Sequence, residues 1–288
     1  MVSRQLSLFS APSGELVQKT KVKALQEHMA RNWFALSKRD TRDSIQHKWA
    51  NGYVKVTTSG KSLATIYDND VLLYIVSNIR ARISAGETGG LIRSHEFSVY
   101  DFLIFKDERL RGKKQRKNPG DVGKKTSGAL YKSVWEGLAR LQSMNIETSV
   151  KAAGYTFVNK FVLIPSIAKV ESNGRVIGLR VELSEWLANK VTEDEALLTL
   201  FDDRYFRITS GLARWLYLWA RKSCGRQKQW KEKIESVWMK SASGGSLKKF
   251  KQLIRGICKN GLLDEYSIAI EGDYLIVRRT AAKLIRSQ

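Results

Sequence analysis

Histidine, cysteine and proline are scarce in this 288-residue chain, acid is outnumbered by base, and no long apolar run occurs. Each shortage removes a class of chemistry. The three histidines, His28, His47 and His95, stand far apart, with no His-x-His pair and no His-Glu-x-x-His run. Zinc hydrolysis and metal-dependent nicking therefore have no visible ligand set. Ten tyrosines leave a tyrosine nucleophile formally possible, but none lies within four residues of a histidine that could activate it. Ser59-Gly60-Lys61-Ser62 looks like the end of a phosphate-binding loop, yet that pattern needs glycine at 55, where Lys55 stands. The expectation is a protein with no catalytic residue, no metal and no cofactor. Cys224 and Cys258 make no disulfide framework, which points to a reducing cytoplasm. No run approaches the roughly 18 apolar residues that cross a bilayer, and no apolar secretory leader is present, so no membrane is expected.

Positive charge and aromatic bulk are abundant. Fifty Lys and Arg face 28 Asp and Glu, a net charge of +22. Such an excess destabilises a compact chain by self-repulsion unless a polyanion relieves it, and for a folded chain nucleic acid fits best. The competing reading is a merely solvated basic surface. With 43% apolar residues, eight Trp, ten Tyr and ten Phe, the chain can bury one large core or two ordinary ones.

Periodicity divides the chain into a flexible leader at 1–30, with a short helix from Glu15 to Met29, a first domain at 31–190 and a second at 191–288. Alternation predicts a hairpin of Tyr53–Thr57 with Leu63–Tyr67, turning at Ser59–Ser62. Asp68 or Asn69 then caps a helix over Val71–Ile83, and a shorter helix follows over Val99–Phe105. Thr126 or Ser127 caps a helix to Gln142 whose buried stripe is Leu130, Val134, Leu138 and Leu141. Strands are expected at Asn145–Val150, Tyr155–Ile164 and Val176–Leu183, the last after Asn173-Gly174, a pair suited to a type I′ turn. Helices over Leu212–Cys224 and about Trp230–Met239 come next. Ser241-Ala-Ser-Gly-Gly245 breaks the chain, and Ser246 caps a helix to Lys259. Tyr266–Ile270 and Tyr274–Val277 close the pattern as a hairpin. Helix, helix, Gly-rich break, helix, hairpin thus occurs twice, which is the element order of a winged helix. The expected fold class is α+β, with two tandem winged-helix domains behind the leader.

A winged helix lays its third helix in the major groove of duplex DNA. Over 246–260, Leu247, Phe250, Leu253, Ile254, Ile257 and Cys258 fall on one face at three- and four-residue spacing. Lys248, Lys249, Lys251, Gln252, Arg255 and Lys259 supply donors, and the segment holds no acid. Gln252 and Arg255 suit bidentate contacts with base edges, lysines suit phosphates, and Arg278 and Arg279 end the following hairpin. In the first half, Lys132 and Arg140 point outward from a less basic helix. Residues 109–125 carry eight basic residues against one acid, with Gly and Pro that make a loop. Lys113, Lys114, Arg116, Lys117, Lys124 and Lys125 of that insert are expected to track a phosphate backbone, the alternative being a solubilising loop.

Several stretches resemble the replication initiator protein A family of bacterial plasmids. They are Asn32-Trp-Phe-Ala-Leu-Ser-Lys-Arg-Asp-Thr, Asn51-Gly-Tyr-Val-Lys-Val-Thr-Thr-Ser-Gly, and Ala64-Thr-Ile-Tyr-Asp-Asn-Asp-Val-Leu-Leu-Tyr-Ile-Val-Ser. Leu197-Leu-Thr-Leu-Phe-Asp-Asp-Arg-Tyr-Phe-Arg-Ile and Ala220-Arg-Lys-Ser-Cys-Gly-Arg-Gln carry it further. The resemblance implies a theta-type initiator with two winged-helix domains that binds repeats in its own origin and helps open it; opening without ATP would draw on binding energy, through bending or capture of one separated strand. Its implied partners are origin DNA, the host initiator and helicase, and a second copy in monomer–dimer equilibrium. In the leader, Gln5, Leu6, Ser7, Leu8 and Phe9 form an apolar cluster that must be covered by the protein's own body or by a partner. The cluster resembles the peptide by which bacterial proteins bind the replicative sliding clamp. Two rival readings are a winged-helix repressor without initiation activity and a clamp-tethered DNA-processing enzyme.

Overall fold

The computed structural model describes residues 21–87, 93–111, 128–200, 205–259, 261, 263 and 265–280, with the backbone alone at 108–111, 152 and 194. Among these residues are eight helices and twelve strands in four sheets, an α+β architecture. The first strand, β1 (Lys23–Leu25), leads into α1 (Gln26–Ala30). A continuous helix from Glu15 to Met29 is therefore not what forms. Ala24 and Leu25 are buried by antiparallel pairing with β9 (Leu197–Thr199), a partner too distant in sequence for local periodicity to register.

The hairpin expected of 53–57 with 63–67 is corrected. β3 (Gly52–Thr58) pairs with β2 (Ser44–Trp49) on one edge and with β5 (Met144–Ala152) on the other, and β6 (Tyr155–Val162) completes the sheet. One register row, Ile45–Val56–Ile146–Phe161, crosses all four strands. With both edges of β3 occupied, Leu63, Ala64 and Ile66 are buried by packing instead, and Ala35–Thr65 is an isolated bridge. The next helix, α2 (Asn69–Ser84), buries every residue from Asn69 to Ile79. Asp68 precedes it, but its side chain makes no cap bond. The carboxylate instead accepts from the Thr65 amide at 2.8 Å and from Arg140.

β4 (Ser94–Phe97) and α3 (Val99–Arg111) follow, then α4 (Gly128–Gln142). Only Gly137, Leu138 and Leu141 of α4 are buried, while Leu130 is exposed, so the expected stripe covers just the last turns. β7 (Ser166–Ser172) and β8 (Arg175–Glu182) form a hairpin through Asn173 (φ 50°) and Gly174 (φ 71°), as the Asn-Gly pair predicts. After α5 (Glu185–Thr192) and β9 come α6 (Gly211–Cys224), β10 (Gln229–Lys233), α7 (Ile234–Ser241), α8 (Leu247–Lys259), β11 (Tyr266–Glu271) and β12 (Tyr274–Arg279). The helix expected over 230–239 thus begins as a strand.

The two halves share a topology that corrects the expected alignment. In the second, the short β10 pairs with the last strand of the hairpin, giving β10-β12-β11; in the first, β4 pairs likewise in β4-β8-β7. The counterpart of β11–β12 is therefore β7–β8. The β5–β6 hairpin is inserted between α4 and β7 and is spent on extending the β2–β3 sheet.

A single apolar core runs through both halves, and polar groups join them within it. Buried His47 lies 3.0 Å from the Met239 carbonyl and 2.7 Å from that of Asn32. The Asn32 amide donates to the carbonyls of Phe34 and Ser241, at 2.6 and 2.9 Å. A Cβ added to Gly211, at the start of α6, would stand 1.9 Å from the Leu36 carbonyl oxygen, so only glycine permits this approach. Deeper still, Asp70 in the first turn of α2 takes Arg214 of α6 on one oxygen and Lys106 of α3 on the other, each at 2.7 Å.

Candidate nucleic-acid interface

The second half builds its polar surface on α8 because the helix is anchored on the opposite side. Phe250, Ile254 and Ile257 are buried, fixing which face points out. The Ser246 hydroxyl accepts from the Lys249 amide at 3.3 Å and satisfies an orphan donor of the first turn, as expected of a cap. Lys248, Lys249, Gln252, Arg255 and Lys259 are exposed on the outward arc. The four cations among them have no ion-pair partner among the described residues. Lys251 sits at the margin, half-buried and 3.6 Å from Asp273. One residue departs from its expected place: Leu253 is 43% exposed rather than part of the buried stripe. Phe250, Ile254 and Ile257 already fill the contact, and Leu253 lies beyond its edge.

The hairpin beside α8 adds cations that sequence reading missed. Gln229, Lys231 and Lys233 of β10 share one face with Tyr274, Ile276 and Arg278 of β12. The Lys231 ammonium lies 4.0 Å over the Tyr274 ring, where a cation meets the negative face of the π system. Reading 230–239 as a helix hid this alternation of Lys231 and Lys233. Arg278 is partly engaged, donating to Gln229 at 2.9 Å and pairing with Glu271 at 2.7 Å. Arg279 is half-buried, and its amide donates to the Lys228 carbonyl.

The first half does not match this surface. Lys132 of α4 projects into solvent, with Glu136 4.0 Å away. Arg140 serves the fold: its guanidinium grips both oxygens of Asp68 at 2.8 Å, and that hydrogen-bonded carboxylate raises its pKa above the ordinary arginine value despite partial burial. The insert cations Lys113, Lys114, Arg116, Lys117, Lys124 and Lys125, and the leader residues Gln5, Leu6, Ser7, Leu8 and Phe9, lie outside the described residues.

Among the described residues no group of His, Cys, Asp or Glu is placed to hold a metal ion. Burial, with Lys222 adding to it, pushes His28 down to about 3. Burial and the charge of Arg82 do the same to His95. Both are neutral rings in the core. No helix of the described residues is long and apolar enough to cross a membrane.

Known proteins share this architecture. Crystal structures of domains 2 and 3 of RctB superpose with a TM-score of 0.59 at 12% identity, covering 88% of this chain and 98% of theirs. A second RctB structure of domains 2–3 gives 0.53 at 11% identity, over 86% and 95%. At such identities the likeness is one of fold. A curated protein of Wigglesworthia glossinidia brevipalpis, named "Putative replication protein", is 26% identical over 244 residues, 82% of this chain and 80% of its own length. The family model described as replication initiator protein A matches residues 23–118 and 121–268. Since that match runs through both halves and the core that joins them, the chain belongs to the replication initiator protein A family.

Proposed function

We propose that this protein is a plasmid replication initiator that binds repeats in its own origin with two tandem winged helices, promotes duplex opening and has no catalytic activity of its own. One winged helix comprises α2, β4, α3, α4 and β7–β8, within residues 31–190. The other comprises α6, β10, α7, α8 and β11–β12, within 191–288. The observation that carries the reading is the outward face of α8, five exposed donor side chains on a helix without an acid. Such a face matches the major groove, where Gln252 and Arg255 meet base edges while Lys248, Lys249 and Lys259 meet phosphates. Opening a duplex without a nucleotide cofactor draws on binding energy through bending or through capture of one strand. The insert at 109–125 adds phosphate contacts, and host initiator and helicase join at the opened origin.

The test is binding to DNA flanking the protein's own gene, against scrambled duplex, across a salt series. A complex on the flanking DNA that persists at salt where scrambled duplex has dissociated is the expected result. Equal binding to both, lost together as salt rises, refutes site-specific reading.

The leader supports a second contact within the same function. Gln5 to Phe9 recruits the sliding clamp, with Leu6, Leu8 and Phe9 entering an apolar groove. Replacing Leu8 and Phe9 with alanine is expected to abolish binding to purified clamp while leaving duplex binding intact. Unchanged clamp binding discards the motif.

A further inference from the structure

The basic face of α8 is bare on one flank. With 3.6 residues per turn, Gln252 and Lys259 stand opposite the buried Phe250, Ile254 and Ile257, and Gly256 lies to one side of them, between Lys249, Gln252 and Leu253. A Cβ built at Gly256 meets no atom within 4 Å, and the backbone there is ordinary helix. Neither packing nor conformation requires glycine, although glycine weakens a helix interior relative to alanine. The loss has no return inside the chain, so its return lies outside. A helical side chain covers the surface over the turn before it, and its absence at 256 leaves Gln252 and Leu253 uncovered. Leu253 is the one exposed large apolar side chain of α8, 43% exposed at the edge of that flank.

We infer that Leu253 reads a thymine methyl group in the major groove, and that Gly256 is bare so that the duplex can close onto this contact. The inference rests on the reading of α8 as the groove-entering helix. The occupant is duplex DNA because Lys249 and Lys259 lie beside the strip, Lys248 and Arg255 continue the exposed face on its other flank, and α8 contains no acid. Within the major groove only thymine offers a methyl group, and an apolar side chain is the group that senses it. Gln252, the residue before Leu253, suits the adenine edge, so the pair favours an A·T-containing step.

The experiment selects a binding site for the full chain from random duplexes, then replaces each thymine in turn by uracil, which differs only in that methyl. At one position uracil is expected to weaken the parent about three- to tenfold, while Leu253→Ala binds both duplexes alike. Gly256→Leu is expected to bind about tenfold more weakly, and Gly256→Ala to melt above the parent. Absence of a uracil-sensitive position, or equal sensitivity in Leu253→Ala, overturns the methyl contact. A Gly256→Leu protein that binds like the parent, or a Gly256→Ala protein that melts below it, overturns the role of the bare flank. Arg255→Glu separates the role of α8 from that of Leu253 and Gly256. If it also binds like the parent, α8 is not the reading helix; if it loses binding while the Leu253 and Gly256 variants keep it, this inference alone fails.

Discussion

Replacing Asp70 with asparagine is expected to destabilise the protein by about 3–5 kcal/mol, the cost of removing one partner from a buried ion pair. Asp70 is fully buried and Arg214 nearly so, 2.7 Å apart, with Lys106 on the second carboxylate oxygen. Asparagine keeps the shape but leaves two cations facing a neutral amide. Arg214 cannot relax into solvent, because its guanidinium also donates to the carbonyls of Ile208 and Phe206, at 2.7 and 3.3 Å. The urea midpoint should fall with an unchanged slope, the signature of lost stability rather than of an altered unfolded state. A triple variant with Asp70→Leu, Arg214→Met and Lys106→Met should recover much of the loss, since removing all the charges together avoids an uncompensated one. Recovery stays incomplete, as the two carbonyls lose their donor. A midpoint for Asp70→Asn equal to the parent's would mean that the three charges are solvated in the folded chain.

The three side chains come from α2, α3 and α6, so the charge cluster ties the halves together. His47 against Met239 and Asn32, and Gly211 against Leu36, add to the same seam. Several stretches that carry the family resemblance run through it: residues 32–36 and 64–70 of the first half, and 205–208 leading into α6. Their share in the family pattern is explained by packing the two halves against one another. On the proposed function, this seam would set the spacing between the segments of DNA that the two halves contact.

What the sequence disclosed depended on how local each signal was. Asn173-Gly174 specified its hairpin because the turn chemistry and both strands lie within a few residues. Most of the stripe of α8 was legible because Phe250, Ile254 and Ile257 are buried at the helical period, Leu253 being the exception. β10 was not, since Trp230, Ile234, Val237 and Trp238 continue a helical spacing across a strand–helix boundary. The partner of β3 was misplaced because Leu63–Tyr67 alternates as well as Met144–Ala152 does, and only tertiary pairing decides between them. Arg140 read as a free cation because its acceptor, Asp68, lies far away in sequence and had been assigned to a helix cap. For the same reason sequence could identify α8 as basic but could not see that Leu253 is left exposed beside its buried stripe.

Changing Lys248, Arg255 and Lys259 together to glutamate is expected to lower affinity for the specific duplex on the order of a thousandfold or more, through lost base and phosphate contacts and new repulsion. The residues are exposed and the cations unpaired within the described structure, so the far-ultraviolet spectrum and the melting temperature should stay close to the parent's. The single changes divide the effect. Arg255→Ala should cost about 1–3 kcal/mol and relax choice at one base pair, because a bidentate contact carries sequence information. Lys248→Ala and Lys259→Ala should weaken all duplexes alike and flatten the slope of log affinity against log salt by about 1 each. Parent-like binding by the triple variant would remove α8 from the interface. Arg140→Ala provides the contrast that makes the comparison decisive. Its guanidinium holds Asp68 at 2.8 Å, so its loss should lower the melting temperature and leave the affinity of the folded fraction unchanged. On the proposed function, a basic residue counts toward recognition only when no carboxylate among the described residues already claims it, a condition met by the exposed cations of α8 and failed by Arg140.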